Sequence, residues 1–471
     1  MFYLDIKNFL NTVCEQIKYA PARKGIAEEL ENHIQEIKED YINGGLKEIE
    51  AEEKPVSQMG TAEEIGKKLN EIHRPKFDWK LAILILILVG FGLLVAILKS
   101  NEGYTYIGQE LIYIIIGIAL SIGIYFFDYR KIKSYSNLIY IVALLIIVMP
   151  IFGAEYKING MSYINLWGIS VNICTISIPM FVIAFVGYIV DYYKNNVIKI
   201  KTLEKELSIK KDLVKIVASC IFAIIPMLVI PSFTSAIILS FIYFVLFTVK
   251  IIQDRKNRLK KCIILFGTIT ICIAFFLSVI PEYRLQRIIT SFKPELDPQG
   301  SGYTGMLQKE ILENAELFGE AETEELLNAK SIISKESEFT FIYLIGKIGT
   351  ILSGMLVLII ILTCIKLILN AKYIKEQYGK FLIIGISSLY IFESIVSVLM
   401  NLNLAPTTNI NLPFVTYGGV FFLVSIVSMA IILSVYRRKD IYLYDEKENK
   451  VWKRIMKIYK YYRHNQNNIV E

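Results

Sequence analysis

Apolar residues fall along this chain in ten long runs separated by polar breaks, roughly 80–99, 108–127, 135–153, 171–190, 213–230, 233–252, 262–280, 340–368, 381–401 and 417–436. A helix needs about 20 such residues to cross the hydrocarbon core of a bilayer. The runs therefore predict an all-α, polytopic membrane protein with about ten transmembrane helices, the fifth and sixth short and parted by Pro231. A different pattern precedes them. Ile26, Leu30, Ile34, Ile37 and Tyr41 recur at helical spacing among charged residues as far as Gly44-Gly45, and Thr61-Ala62-Glu63-Glu64 has capping-box spacing ahead of Ile65 and Leu69. This predicts a small cytosolic helical domain over 1–77, a membrane domain over 78–440 and a basic cytosolic tail over 441–471. The polar first 77 residues do not resemble a cleaved signal.

Composition agrees, since 54% of the 471 residues are hydrophobic. The net charge of +7 is topological and gives no reason to expect nucleic acid. With the N-terminus inside, the connections at 128–133, 194–212, 253–261 and 372–380 are cytoplasmic, and all are basic. The outer connection 282–338 is strongly acidic. Lys and Arg in short loops mark the cytoplasmic side, so both termini are expected in the cytoplasm. The six cysteines and three histidines are scattered, without the paired spacing of a metal site or disulfide framework.

Three places carry candidate chemistry. Asn411-Leu412-Pro413-Phe414-Val415-Thr416-Tyr417-Gly418-Gly419 interrupts the apolar pattern before the last run. Irregular backbone near bilayer depth is tolerated only where it is buried in protein or lines a wet cavity; the other reading is a loop that merely redirects the chain. The outer connection 282–338 is too long to be a plain linker. It ends at Glu338, a carboxylate placed where the chain re-enters the bilayer, which reads as a proton acceptor or as an ordinary interfacial residue. Finally, Lys347 and Glu393 are charges inside apolar runs, and the cost of such charges predicts that they pair.

These segments resemble the SEDS family, the ten-span FtsW, RodA and SpoVE proteins. The likeness covers roughly 80–440 and rests on Arg284–Pro294, Asp297-Pro298 with Gly300-Ser301-Gly302-Tyr303, Glu338-Phe339-Thr340-Phe341, and Leu412-Pro413-Phe414-Val415-Thr416-Tyr417-Gly418-Gly419. It implies a bacterial plasma-membrane glycosyltransferase that polymerises lipid II into peptidoglycan strands during division, elongation or sporulation. Undecaprenyl pyrophosphate would leave, and a class B penicillin-binding transpeptidase would be the partner. In that family an Asp precedes the Phe-x-Phe, so Glu338 is implied as the general base. Arg284 and Arg287 are implied for the pyrophosphate, and Tyr303, Pro413, Phe414, Tyr417, Gly418 and Gly419 for the rest of the substrate. A divalent cation on the pyrophosphate is compatible with this chemistry, although no carboxylate cluster demands one. Residues 59–70 resemble the helical prefix domain of bacterial permeases.

The chain also departs from the family pattern. Gly346 and Lys347 stand where the family has an acidic pair, Met161-Ser162-Tyr163 follows Asn159-Gly160 in place of Arg-Arg-Trp, Asn172-Ile173-Cys174-Thr175 replaces Gln-Pro-Ser-Glu, and Pro231-Ser232-Phe233-Thr234-Ser235 replaces Pro-Asp-x-Gly-Thr. Two readings stay open: a divergent lipid II polymerase, or a non-catalytic scaffold or regulator that binds the lipid-linked precursor. The charge pattern makes its own prediction. A cysteine placed at Gln299 should label from outside intact cells and one at Asn257 should not; reversed labelling overturns the assigned sides.

Overall fold

The computed structural model describes residues 2–45, 60–101, 106–152, 156–158, 161–166, 169–197, 203–230, 232–253, 282–320, 337–416 and 419–441. They divide into two compact units, one of residues up to Lys76 together with those from Arg437 on, the other Phe77–Tyr436. The first holds α1 (Phe2–Gln16), α2 (Ala20–Asn43) and α3 (Ala62–His73). Val13, Ile17, Ala22, Ile26, Ile34 and Ile441 form its core. Thr61 Oγ1 accepts from Glu64 N at 3.4 Å, satisfying one of the amides that a helix start leaves open. A Cβ at Gly66 would lie 2.7 Å from Gln16 Cβ, so α3 can approach α1 closely only because this position is glycine. Beyond the helices, His73 Nδ1 lies 2.8 Å from the Asp440 carbonyl and Lys76 Nζ 2.7 Å from Asp440 Oδ2, fastening Asp440 to the same unit.

The second unit is the membrane domain of a multi-pass helical protein. Its helices long and apolar enough to cross, seven among the described residues, are α4 (Trp79–Asn101), α5 (Tyr106–Phe126), α7 (Ile173–Val197), α9 (Phe233–Gln253), α13 (Thr350–Tyr373), α14 (Gln377–Asn401) and α15 (Gly419–Arg437). Two shorter apolar segments lie in α6 (Ser136–Val148) and α8 (Leu203–Val229). The run expected at 262–280 lies outside the described residues. Exposed Ile115, Ile118 and Ile122 on α5 form the apolar stripe of a lipid-facing helix, whereas Phe181 and Phe185 of α7 are fully buried. At one end of the bundle, buried Asp78 accepts from Leu81 N at 3.3 Å and from Asn370 Nδ2 at 2.7 Å, and lies 3.1 Å from Lys366 Nζ, tying the start of α4 to α13.

Two features differ from the expectation. A small antiparallel sheet, β1 (Tyr156–Ile158), β2 (Met161–Leu166) and β3 (Ile169–Asn172), precedes α7, with Tyr163 opposite Asn172. The run 340–368 is also not one helix. It is broken at Gly349, with φ 88°, into α12 (Thr340–Ile348) and α13. Nine residues rise only ~13 Å, so α12 dips into the protein without crossing it, and all but its last two residues are buried. The break is capped by outer-loop carbonyls: Thr350 N donates to Glu316 O at 2.9 Å and Ile351 N to Leu317 O at 3.2 Å.

This break also corrects the expected pairing of Lys347 with Glu393. Lys347 ends α12 beside the returning loop, where Gly319 N donates to Ile348 O at 3.3 Å, and its Nζ lies 2.7 Å from Glu320 Oε1. A double-mutant cycle on Lys347 and Glu320 should therefore show coupling of about 0.5–3 kcal/mol in unfolding free energy. The cycle on Lys347 and Glu393 should be additive within about 0.5 kcal/mol. Additivity in the first would refute the pairing.

Candidate functional site

Glu338 sits in a single 3-10 turn, Ser337–Phe339, that feeds α12. Short turns of this kind hold a shape only when outside groups take up their polar atoms, and three do so. Asn401, fully buried at the end of α14, donates from Nδ2 to Glu338 O at 3.0 Å and to Ser397 O at 2.8 Å, while its Oδ1 accepts from Ile342 N at 3.0 Å. Thr340 Oγ1 donates to Ser337 O at 2.6 Å, and Ser337 Oγ to Asn411 Oδ1 at 3.1 Å. The carboxylate's backbone is thus fixed to α12, α14 and the segment before Leu412.

That segment is itself a tight structure. Leu412 N donates to Thr416 Oγ1 at 2.9 Å, and Thr416 N returns to Leu412 O at 3.0 Å. Between them buried Phe414 has φ 69°, a left-handed conformation that costs a bulky residue about 1–3 kcal/mol. Its carbonyl packs where a Cβ at Gly92 of α4 would stand, so α4 meets the turn through a glycine. Pro413 is buried too. Both residues shape the site from beneath, and neither lines its wall.

The wall encloses a cavity of about 510 Å³. Ser337, Glu338, Asn409 and Asn411 form one side. Gln109 and Tyr113 enter from α5, Tyr163 and Asn172 from the sheet, Cys174 and Thr175 from α7, and Thr234 and Ser235 from α9. Glu393 of α14 and Gly419–Phe421 of α15 complete it. Gly419 leaves room for the Tyr113 ring, which would overlap any Cβ there. Of the residues picked from sequence, Glu338 and Gly419 therefore line the cavity. Glu393, expected to be structural, lines it as well, and Asn401, the bracket behind Glu338, went unnoticed. Arg287 on α10 (Glu282–Phe292) and Tyr303 at the start of α11 (Tyr303–Glu313) are exposed outside the cavity. Arg284 belongs to α10, with its side chain beyond the description, and Tyr417 and Gly418 lie outside the described residues.

The outer motif Asp297–Tyr303 is a self-supporting turn. Asp297 Oδ2 accepts from Ser301 N at 2.8 Å and Ser301 Oγ at 3.0 Å, and these bonds hold its carboxyl below the usual carboxylate range. A lowered value means that this stabilisation is present at neutral pH and lost as the pH falls through it. The turn is anchored through α11, where Gln308 Nε2 donates to Met400 O at 3.3 Å and the Gly305 carbonyl accepts from Asn403 Nδ2 at 3.0 Å. Among the described residues no group of three or more His, Cys, Asp or Glu is gathered to hold a metal ion.

Comparison with known proteins points one way. Residues 78–441 match the family model of FtsW, RodA and SpoVE, described as cell cycle protein. The chain is similar to the probable peptidoglycan glycosyltransferase FtsW of Trichlorobacter lovleyi, 22% identical over 383 residues, with 76% of this chain and 93% of the relative covered. The protein of the same description from Nitrosomonas europaea is 24% identical over 382 residues, covering 78% and 94%. Among solved structures, a chain from work on the coordination of polymerization and crosslinking by a peptidoglycan synthase complex aligns with a TM-score of 0.59 at 16% identity, covering 77% of this chain and 98% of its own. The Thermus thermophilus rod shape determining protein RodA gives 0.51 at 15%, covering 77% and 97%. These two share the fold.

The geometry puts the most weight on Asn401. Asn401→Leu leaves a buried amide and two carbonyls without their partner, each worth about 1–3 kcal/mol. The expected result is a clear fall in melting temperature and greater protease sensitivity near residues 337–342; unchanged melting and protection would show that the bracket is dispensable.

Proposed function

The chain belongs to the FtsW/RodA/SpoVE family of cell cycle proteins, and on that premise we propose that it is a peptidoglycan glycosyltransferase that polymerises lipid II. The observation that carries the reading is a carboxylate on a rigid re-entrant turn, facing a cavity of small-molecule size. A sugar hydroxyl is a poor nucleophile. As its oxygen bonds to the anomeric carbon of the lipid-linked strand, Glu338 takes its proton, and the bond from that carbon to the pyrophosphate oxygen breaks, releasing undecaprenyl pyrophosphate. General-base help of this kind is worth about 10²–10⁴-fold. Arg284 and Arg287 of α10 are the cations assigned to the departing charge. A class B penicillin-binding transpeptidase is the proposed partner, in line with the synthase complex to which a similar chain belongs, and the basic connections support a cytoplasmic location for both termini.

A second reading, a non-catalytic binder of the lipid-linked precursor, draws on the cavity wall itself, where Asn172, Thr175, Thr234 and Ser235 stand in segments that carry charged residues in the family. Polymerisation and binding assays on purified protein separate the two. Glu338→Gln should reduce strand formation from lipid II by about 10²–10⁴-fold while leaving lipid II affinity nearly unchanged. Glu338→Asp draws the base back by one methylene, and a displacement of about 1 Å costs as much as 10²-fold. Wild-type turnover in Glu338→Gln removes the base assignment. A wild type that binds lipid II and never polymerises it establishes the second reading.

A further inference from the structure

We propose that Glu393 is a substrate-binding carboxylate, and that the cavity it shares with Glu338 holds the uncharged saccharide part of the substrate while the pyrophosphate stays outside. The inference rests on the lipid-linked saccharide reading above and extends it to the chemistry of one chamber. Its starting point is a charge without a structural reason. A carboxylate within a membrane span is costly and is kept when it is paired or functional. Lys347, the cation that could have paired with it, is bound to Glu320, and no hydrogen bond or ion pair to Glu393 is formed among the described residues. The carboxylate instead faces the cavity.

The composition of the wall then decides what fits. Among the described residues it contains two carboxylates, Glu338 and Glu393, and no Lys, Arg or His. A pyrophosphate placed there would meet acidic side chains in a setting of low dielectric, with no cation among the described residues to offset them. A sugar meets the opposite situation. Its hydroxyl and acetamido N–H groups are donors, and carboxylates are the strongest acceptors available to them. The side-chain amides of Gln109, Asn172, Asn409 and Asn411 both donate and accept, and the rings of Tyr113 and Tyr163 supply apolar faces. Glu338 and Glu393 thus divide the work: one accepts the proton of the attacking hydroxyl, while the other accepts hydrogen bonds that orient the ring.

The test uses full-length protein and two probes, lipid II and undecaprenyl pyrophosphate, with Glu393→Leu and Glu393→Gln. Losing a hydrogen bond to a charged group should weaken lipid II binding by about 10- to 100-fold in Glu393→Leu. The smaller change in Glu393→Gln, about 3- to 10-fold, should appear in KM with kcat nearly unchanged. Undecaprenyl pyrophosphate should bind both variants within about twofold of wild type, since it lacks the sugars. Should Glu393→Leu fail to fold, Glu393→Gln alone carries the same comparison. Unchanged lipid II affinity in Glu393→Gln, parallel loss of both probes, or tighter binding of the pyrophosphate once the charge is removed would each overturn the inference. Wild-type binding of lipid II without polymerisation would count against the enzyme reading alone.

Discussion

A backbone amide or carbonyl facing lipid has no partner, and the membrane unit is organised around meeting that demand wherever its helices are interrupted. The interruption before α12 is met by Asn401, whose one amide group serves two carbonyls and a helix-start N–H. The interruption after α12 is met by the outer loop, whose Glu316 and Leu317 carbonyls accept from the first turn of α13. The third, at Leu412–Thr416, closes on itself through the Thr416 hydroxyl. The first and the third of these breaks support one wall of the cavity, through Ser337 and Glu338 and through Asn411. The irregular backbone that would be a liability in lipid is what positions Glu338, because a continuous helix from 340 to 368 would leave no re-entrant turn there.

What was legible in the sequence follows from the range of the interactions. Span lengths and loop charges are local properties, and apolar runs such as 108–127 and 381–401 declare themselves, matching the helices Tyr106–Phe126 and Gln377–Asn401 within a few residues. Glu338 was found because it stands in a short motif. The split at Gly349 was hidden because one glycine in an apolar run is usually tolerated; its positive φ is imposed by a loop about thirty residues earlier, whose Leu317 carbonyl would lie 2.7 Å from a Cβ. Lys347 misled for the same reason, since its partner Glu320 comes from that loop and not from a neighbouring span. Asn401 looked like an ordinary polar residue at the end of a span. The sheet did leave a signal, Asn159-Gly160 between residues of high strand propensity, which is a strong hairpin cue.

Two of the departures from the family pattern share a location. The segment 172–175 supplies Asn172, Cys174 and Thr175 to the cavity, and 231–235 supplies Thr234 and Ser235. Cys174 Sγ lies 3.4 Å from Ser232 Oγ, and Ser232 Oγ donates to Ser235 Oγ at 2.9 Å, so the two segments are joined by small neutral groups where the family has acids. Acidic side chains are absent from these two stretches of α7 and α9, while α14 brings Glu393 to the same cavity. Substitutions at unrelated places would suggest loss of constraint. Two changes on one cavity, with Glu393 still lining it, describe a rebuilt wall.

The same logic bears on how a glutamate would serve as the proposed base where the family has aspartate. The backbone at position 338 has little freedom: its carbonyl is held by Asn401, and the flanking Ser337 is held through both Thr340 and Asn411. A rebuilt cavity that shifted the substrate away from this wall could not be followed by moving the turn without breaking those bonds, each of which would leave a buried polar group unpaired. One added methylene extends the carboxylate while leaving the turn in place. On the proposed role, the longer side chain follows from the rigid support behind it, and the scaffold would constrain the choice of base as firmly as the chemistry does.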